Sequence, residues 1–255
     1  MTRSILTILA LAAATASAQQ NLLFNGDFET IDGFTGEPAG WGLFNSARFR
    51  EDGDGLGEIL IRSGTHSLEL ASGADFVGAT TNVWNPDELE YYDPKYIWRG
   101  GPCKITGYYA IPAGQPLDGA VSGLKLEFRR ENSSVYLGVE DLSIEGDTNG
   151  EWVEFGFTVG CGQLPADWPP FPVAVSVLPI RFGDANSTGT IFWDDLHFTQ
   201  CIADMNCDDL VNTQDFIAYL NLWVAQDPRA DFNGDGIVNT QDFLVYLNVW
   251  AQPCP

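Results

Sequence analysis

The chain has 255 residues and carries 35 acidic against 12 basic side chains, a formal charge of −23 at neutral pH. Charge of that sign repels nucleic acid and anionic membrane surfaces, which excludes both as partners. It suits a protein kept soluble outside the cell, and it suits calcium, whose preferred ligands are carboxylate oxygens.

Residues 1–18 read as a secretory signal peptide. Arg3 supplies the positive start, residues 5–14 a short apolar run, and Ala16-Ser17-Ala18 a small-residue cleavage site. No other stretch reaches the ~20 apolar residues of a membrane span. The expectation is an exported protein with no membrane span. Five cysteines fit an oxidising compartment. Cys103–Cys161 and Cys201–Cys254 are the expected bridges, with Cys207 left over, although spacing also permits Cys201–Cys207.

Residues 19–199 form one domain-sized block, rich in glycine and aromatics. Strand-like runs fall at residues 58–61, 67–70, 104–110, 124–129, 135–139, 152–159, 173–178 and 189–198. Turn signals at residues 63–64, 112–114, 147–150 and 183–186 separate them, and no long amphipathic helix intervenes. This pattern predicts a mainly β domain, a jelly-roll β-sandwich.

Three stretches in the block stand out. It opens with Asn21-Leu22-Leu23-Phe24-Asn25-Gly26-Asp27-Phe28-Glu29, followed by Trp41. It closes with Phe192-Trp193-Asp194-Asp195-Leu196-His197-Phe198, and Arg62-Ser63-Gly64-Thr65-His66-Ser67-Leu68 lies between. The block resembles the galactose-binding-like jelly rolls grouped as carbohydrate-binding modules of the 4, 9 and 22 type. That resemblance implies a polysaccharide or glycan ligand. It also implies a structural calcium shared by the first and last strands, at Glu29 and Asp194, with Asp27 and Asp195 as alternatives. Physics points the same way, since carboxylates brought together from both ends of a domain repel unless a cation joins them. The acidic residues of 51–58 read as a solvated turn, with calcium as the alternative.

Sugar recognition needs aromatic faces beside hydrogen-bonding groups. The densest such stretch is residues 84–99, with Trp84, Tyr91, Tyr92, Tyr96, Trp98 and Arg99 as candidate carbohydrate contacts. Pro86 and Pro94 make it loop rather than strand. Arg129, Arg130 and Tyr136 are candidates for lining a concave sheet face, while Trp41 and Trp152 read as core. No catalytic residue is assigned. His66 and His197 read as structural, and neither a Gly-x-Ser-x-Gly elbow nor a His-Glu-x-x-His motif occurs.

After residue 200 one unit occurs twice, 27 residues apart. Asp204, Asn206, Asp208, Asn212 and Asp215 recur as Asp231, Asn233, Asp235, Asn239 and Asp242. Oxygen side chains thus stand at positions 1, 3, 5, 9 and 12 of a calcium loop, with the Leu210 and Ile237 carbonyls at position 7. Gly236 supplies the sharp turn at position 6, where the first loop has Asp209; the second loop is therefore expected to be the tighter. Phe216, Tyr219, Leu220 and Trp223, and their counterparts Phe243, Tyr246, Leu247 and Trp250, form helical apolar stripes that can bury one another.

Residues 201–255 resemble a type I dockerin, in the cysteine-bracketed form found on secreted bacterial proteins. That resemblance implies two bound Ca2+ ions and a cohesin-like or cell-surface partner met by Thr213, Gln214, Thr240 and Gln241. The whole reads as a secreted, non-catalytic carbohydrate-binding protein, its β-sandwich fused to a small α-helical dockerin-like module. The alternatives are a jelly-roll polysaccharide lyase or glycoside hydrolase carrying the same tail, and an extracellular structural protein.

Overall fold

The computed structural model describes residues 21–81, 97–98, 102–129, 135–160, 173–184, 186–208 and 210–252. Among them, strands β1 (Trp41–Phe44), β2 (Ala47–Glu51), β3 (His66–Ala71), β4 (Phe76–Thr81), β5 (Ile97–Trp98) and β6 (Cys103–Ala110) come first. They are followed by β7 (Leu117–Arg129), β8 (Val135–Gly146), β9 (Val153–Val159), β10 (Val173–Phe182) and β11 (Thr190–Gln200). Helices α1 (Thr213–Val224) and α2 (Thr240–Trp250) close the chain.

The strands form two antiparallel sheets. One runs β1-β4-β10-β7-β8 with the short β5 on β10, and the other runs β2-β3-β11-β6-β9. The fold is a mainly β sandwich of these two sheets. Strand alternation explains it. On β7, Leu124, Leu126 and Phe128 are fully buried, and Val175 and Val177 of β10 join them from the next strand. From the opposite sheet come Leu68, Leu70, Ile105, Ile191, Trp193 and Phe198, in the same cluster. Trp41 packs there too, its ring 5.1 Å from Phe28, as its sequence position suggested.

One expected strand is absent, and three strands appear that were not expected. Residues 58–61 form no strand; they follow a loop pinned from below by Arg50, whose guanidinium grips Asp54 at 2.5 and 3.0 Å. That same grip accounts for the acidic turn without a metal, and it draws the Asp54 carboxyl down to about 2. Conversely, β1, β2 and β4 carry no strand signal strong enough to have been expected. β1 and β4 each place a glycine, Gly42 and Gly78, in the middle of a short run.

Candidate functional site

The outer face of the first sheet holds an open groove of about 370 Å³. Its aromatic wall is Phe44 of β1, Phe76 of β4 and Phe182 of β10, with ring centroids 5.6 Å apart for the first pair and 6.3 Å for the second. Phe76 is 46% exposed. Leu178, Ile180 and Thr80 make the floor, and the outward residues of β7, Lys125, Glu127 and Arg129, make the polar wall. The depth depends on a missing side chain. A Cβ on Gly78 would stand 2.5 Å from the Phe44 ring, so only glycine lets that ring lie across β4.

The polar wall is ordered by its own charges. Lys125 Nζ lies 3.0 Å from Glu127 Oε1 and 3.9 Å from Glu140 on β8. Arg129 pairs with the other oxygen of Glu127 and donates from Nε to Ser176 Oγ at 3.1 Å. Arg129 was an expected lining residue of a concave sheet face, and it is one. Of the aromatic stretch expected to hold sugar, Trp84, Tyr91, Tyr92, Tyr96 and Arg99 lie outside the described residues, as does Arg130. The backbone of Trp98 is described and pairs with Val173. The phenylalanines of the groove escaped the sequence reading because three separate strands supply them.

The two ends of the sandwich meet as expected. Leu22 N–H donates to the Phe198 carbonyl at 2.9 Å and Leu196 N–H to the Gly26 carbonyl at 2.8 Å. Glu29 and Asp194 converge on one loop, residues 62–66. Glu29 Oε1 accepts the N–H groups of Thr65 (2.8 Å) and His66 (2.7 Å). Glu29 Oε2 takes the Thr65 hydroxyl at 3.0 Å and His66 Nδ1 at 3.3 Å. Asp194 Oδ2 accepts from Arg62 N (3.0 Å) and Ser63 N (3.1 Å), and Oδ1 accepts from Asp195 N at 2.7 Å.

Asp195 is held by the Ser63 hydroxyl at 2.9 Å and by Arg62, whose guanidinium also lies over the Tyr108 ring at 3.5 Å. Gly64 has φ +63, and a Cβ there would stand 2.3 Å from the Glu29 carboxylate.

These residues do not fit a shared metal. Glu29 Oε1 and Asp194 Oδ2 already take two backbone N–H donors each, and Glu29 Oε2 meets the Thr65 hydroxyl and His66 Nδ1, so a cation would have to displace the loop. Asp194 is fully buried, and burial pushes its carboxyl up to about 7 against the pull of the Ser63 and Arg62 N–H groups. Burial raises Glu29 too, but its bonds from Thr65 and His66 outweigh that and leave it lowered. Asp27, the other candidate, is exposed. His66 contacts Glu29 through its backbone N–H and its Nδ1; His197 is exposed on β11.

In the tail the repeat becomes a reciprocal pair. Tyr219 stacks on Tyr246 at 3.9 Å and 8°. The Trp223 indole donates to the Asn239 carbonyl at 2.7 Å, and the Trp250 indole to the Asn212 carbonyl at 2.9 Å. Phe216 and Phe243 join this core as expected, while Phe232 and Ala230 join it unforeseen.

Positions 9 and 12 also start the helices. Asn212 accepts from Gln214 N at 2.7 Å and Asp215 from Asn212 N at 2.9 Å, a capping box repeated by Asn239 and Asp242. Asp215 and Asp242 are fully buried, and each takes one backbone N–H on each oxygen, from Asn206 and Asn212 and from Asn233 and Asn239.

The ligand oxygens of Asp204, Asp208 and Asp215 lie within 4.8 Å of one another. Among the described residues no other acidic group is as close, so the first loop, not the second, gathers its carboxylates most tightly. Gly236 takes φ +81, as the turn requires. The strained residue described in the first loop is Cys207, at φ +62, where the second has Gly234; Asp209 lies outside the described residues. Asn206 and Asn233 hold the carboxylates of Asp208 and Asp235 through their amides at 3.0 and 3.1 Å. Thr213, Gln214, Thr240 and Gln241 all lie exposed at the helix starts. Beside them stand the exposed Leu210, Ile217, Ile237 and Leu244, matched in pairs by the repeat.

The cysteine expectations change. Cys103 is a free thiol, 1% exposed, so it forms no bridge to Cys161. Its place on the inner face of β6 makes it core filling, and burial pushes its thiol up to about 12. Cys207, expected to be left over, is disulfide-bonded, as is Cys201. Cys161 and Cys254 lie outside the described residues. No described helix is long and apolar enough to cross a membrane.

The architecture defines the chain as a two-sheet antiparallel sandwich followed by a small helical pair. No family model matches the sequence, and no curated protein matches it. Among solved structures, a CBM22-1 xylan-binding domain from Paenibacillus barcinonensis is similar at 14% identity and a TM-score of 0.41, over 72% of this chain and 96% of that one. A CBM61 module in complex with β-1,4-galactotriose is similar at 14% identity and a TM-score of 0.39, over 71% and 99%. The enzymatically active domain of a bacteriophage CBA120 tailspike protein is similar at 10% identity and a TM-score of 0.41, over 70% and 21%.

Proposed function

We propose that this chain is an exported carbohydrate-binding protein whose sandwich groove holds a glycan and whose tail joins it to a partner. The groove carries this reading. It sets three phenylalanine rings along one side and hydroxyl, carboxylate and cationic groups along the other, the two chemistries that a sugar's C–H faces and hydroxyls require. Its described lining contains one carboxylate, Glu127, rather than the pair that hydrolysis of a glycosidic bond uses.

In the tail, Asp204, Asn206, Asp208, the Leu210 carbonyl, Asn212 and Asp215 would hold one Ca2+. Asp231, Asn233, Asp235, the Ile237 carbonyl, Asn239 and Asp242 would hold another. When bound, the ion offsets the mutual repulsion of the loop carboxylates, and the capping boxes then start both helices. The exposed Thr-Gln pairs with their aliphatic neighbours are the surface for a cohesin-like or cell-surface partner.

The test is a glycan array with a parallel depolymerisation assay, followed by calorimetry on the Phe76→Ala variant. Loss of about 1–3 kcal/mol of glycan affinity with little change in melting temperature is expected. Unchanged affinity removes the groove as the site, and depolymerisation of any bound glycan replaces the binding reading with an enzymatic one.

A further inference from the structure

Six arginines lie among the described residues, and five of them meet a carboxylate. Arg48 and Arg50 pair with Glu69, Arg62 with Asp195, Arg129 with Glu127 and Arg229 with Asp227. Arg181 is the sixth, and among the described residues no carboxylate pairs with it. It is also fully buried. Strand alternation on β10 puts Val175, Val177 and Arg181 on the inner face of the sheet. The register sets Arg181 between Val77 of β4 and Ser122 of β7, both fully buried.

Its hydrogen bonds do not answer this charge. Nη2 donates to the Thr188 carbonyl at 2.9 Å and to Ser187 Oγ at 3.3 Å. Nε and Nη1 are buried and, among the described residues, meet no acceptor. Arg50 is buried as deeply, and there Asp54 and Glu69 accept from all three side-chain nitrogens. Those carboxylates hold the Arg50 proton more firmly, whereas burial alone acts on Arg181 and lowers its pKa. A guanidinium nevertheless keeps its charge at any pH where the fold survives. A buried charge without a counter-ion is costly, and water can satisfy an N–H without neutralising the cation.

We infer that a single small monovalent anion, a halide, binds beside Arg181 beneath the turn of residues 183–189, accepting from Nε or Nη1. One negative charge matches the one positive charge that the chain leaves unanswered. The turn is stitched down over the guanidinium: Gly183 N–H donates to the Asp75 carbonyl at 2.8 Å, Thr188 N–H to the Asp118 carbonyl at 2.9 Å and Ser187 Oγ to the Asp184 carbonyl at 2.8 Å. These three aspartates turn their backbones to the turn and lie exposed, and Asp184 Oδ1 is engaged by Asn186 N at 2.7 Å. The turn is also tight, since a Cβ on Gly183 would stand 2.1 Å from Ser187 Oγ, which favours a halide over a bulky oxyanion. Beside Arg181 the ladder is not closed: the pairing of β7 with β8 shifts register between Leu117 and Ser122.

Crystals of the full chain, grown in calcium, soaked in sodium bromide and measured at the bromine absorption edge, locate the ion directly. An anomalous peak within hydrogen-bond reach of Arg181 Nε or Nη1 is the expected result. Water there, or no peak, overturns the inference. In solution, exchanging gluconate for bromide at constant ionic strength should raise the melting temperature of the sandwich saturably, by about 2–4 °C. Arg181→Met, which keeps the length and removes the charge, should abolish that rise. An equal rise in the variant also overturns the inference. Should Arg181→Met fail to fold, the diffraction result on the unaltered chain decides alone.

Discussion

The loop at residues 62–66 and the first loop of the tail both gather carboxylates, and they do so in opposite ways. Around the first, a few acids meet many donors. Glu29 takes four donor contacts and Asp194 three N–H groups, so the negative charge is absorbed by the chain itself. In the tail, three acids meet in one small volume, their ligand oxygens within 4.8 Å, and buried Asp215 has one N–H on each oxygen. Donors per oxygen do not separate the two, since Asp204 Oδ1 in the tail takes two N–H groups and Asp194 Oδ1 in the clasp takes one. What separates them is the convergence of three carboxylates in one small volume of the tail loop.

Calcium removal should break the comparison most visibly. On hydrogen exchange of the full chain in chelator, amides of α1 and α2 should lose protection while β11 and residues 62–66 keep theirs. A hundredfold excess of ion over Kd is worth about 2.7 kcal/mol to the folded tail. Equal protection in both regions, with and without calcium, would remove the metal from the tail.

The next largest effect tests the clasp. Glu29→Ala strands the N–H groups of Thr65 and His66 and should cost about 2–3 kcal/mol in urea unfolding of the sandwich, in chelator or in calcium alike. A cost that appears only in calcium would mean that a metal sits there after all.

A slightly smaller effect comes from pH. Asp194 titrates near 7 when folded against 3.8 as a free side chain. Its raised value favours the folded state below about pH 4, and that contribution is lost as pH rises through 7. Between pH 5 and pH 8 the loss should be about 2 kcal/mol. The lowered Glu29 works in the other direction, its contribution being lost in acid, so stability should peak in the mildly acidic range. A flat profile from pH 5 to 8 in urea melts contradicts the burial of a titrating Asp194.

The smallest difference lies within the tail. Asp204 is 1% exposed and belongs to the converged set, so Asp204→Ala should weaken calcium binding more than Asp231→Ala, by about tenfold or ~1.4 kcal/mol. The reverse order, read by calorimetric titration, would restore the expectation drawn from Gly236 alone.

What could be read from the sequence was what is local. Residues 104–110 and 189–198 alternate or run apolar and became β6 and β11, and the tail repeat announced its helices through its spacing. That Glu29 and Asp194 come from ends that lie together was implied by the resemblance, and both are found bonded to the loop at residues 62–66. The identity of their partner was not visible, because it is backbone N–H from a third segment. The groove was hidden for a related reason. Phe44, Phe76 and Phe182 come together through the order β1-β4-β10-β7, which no local pattern encodes. Lys125, Glu127 and Arg129 looked only like the polar half of one strand. Cys103 was misjudged because an oxidising compartment invites pairing, while its inward position on β6 makes it an ordinary apolar filler.

The crossed indoles have a consequence for how such a tail holds together. Each tryptophan serves the other copy: Trp223 reaches the Asn239 carbonyl and Trp250 reaches that of Asn212, across a Tyr219–Tyr246 stack. A single 27-residue copy lacks the carbonyl its own indole needs and the ring its tyrosine covers. Two identical copies on separate chains satisfy one another by the same two-fold arrangement. The tail thus has the two-fold form of a homodimer of one repeat, with both copies on one chain. Joining the copies on one chain makes their association independent of concentration.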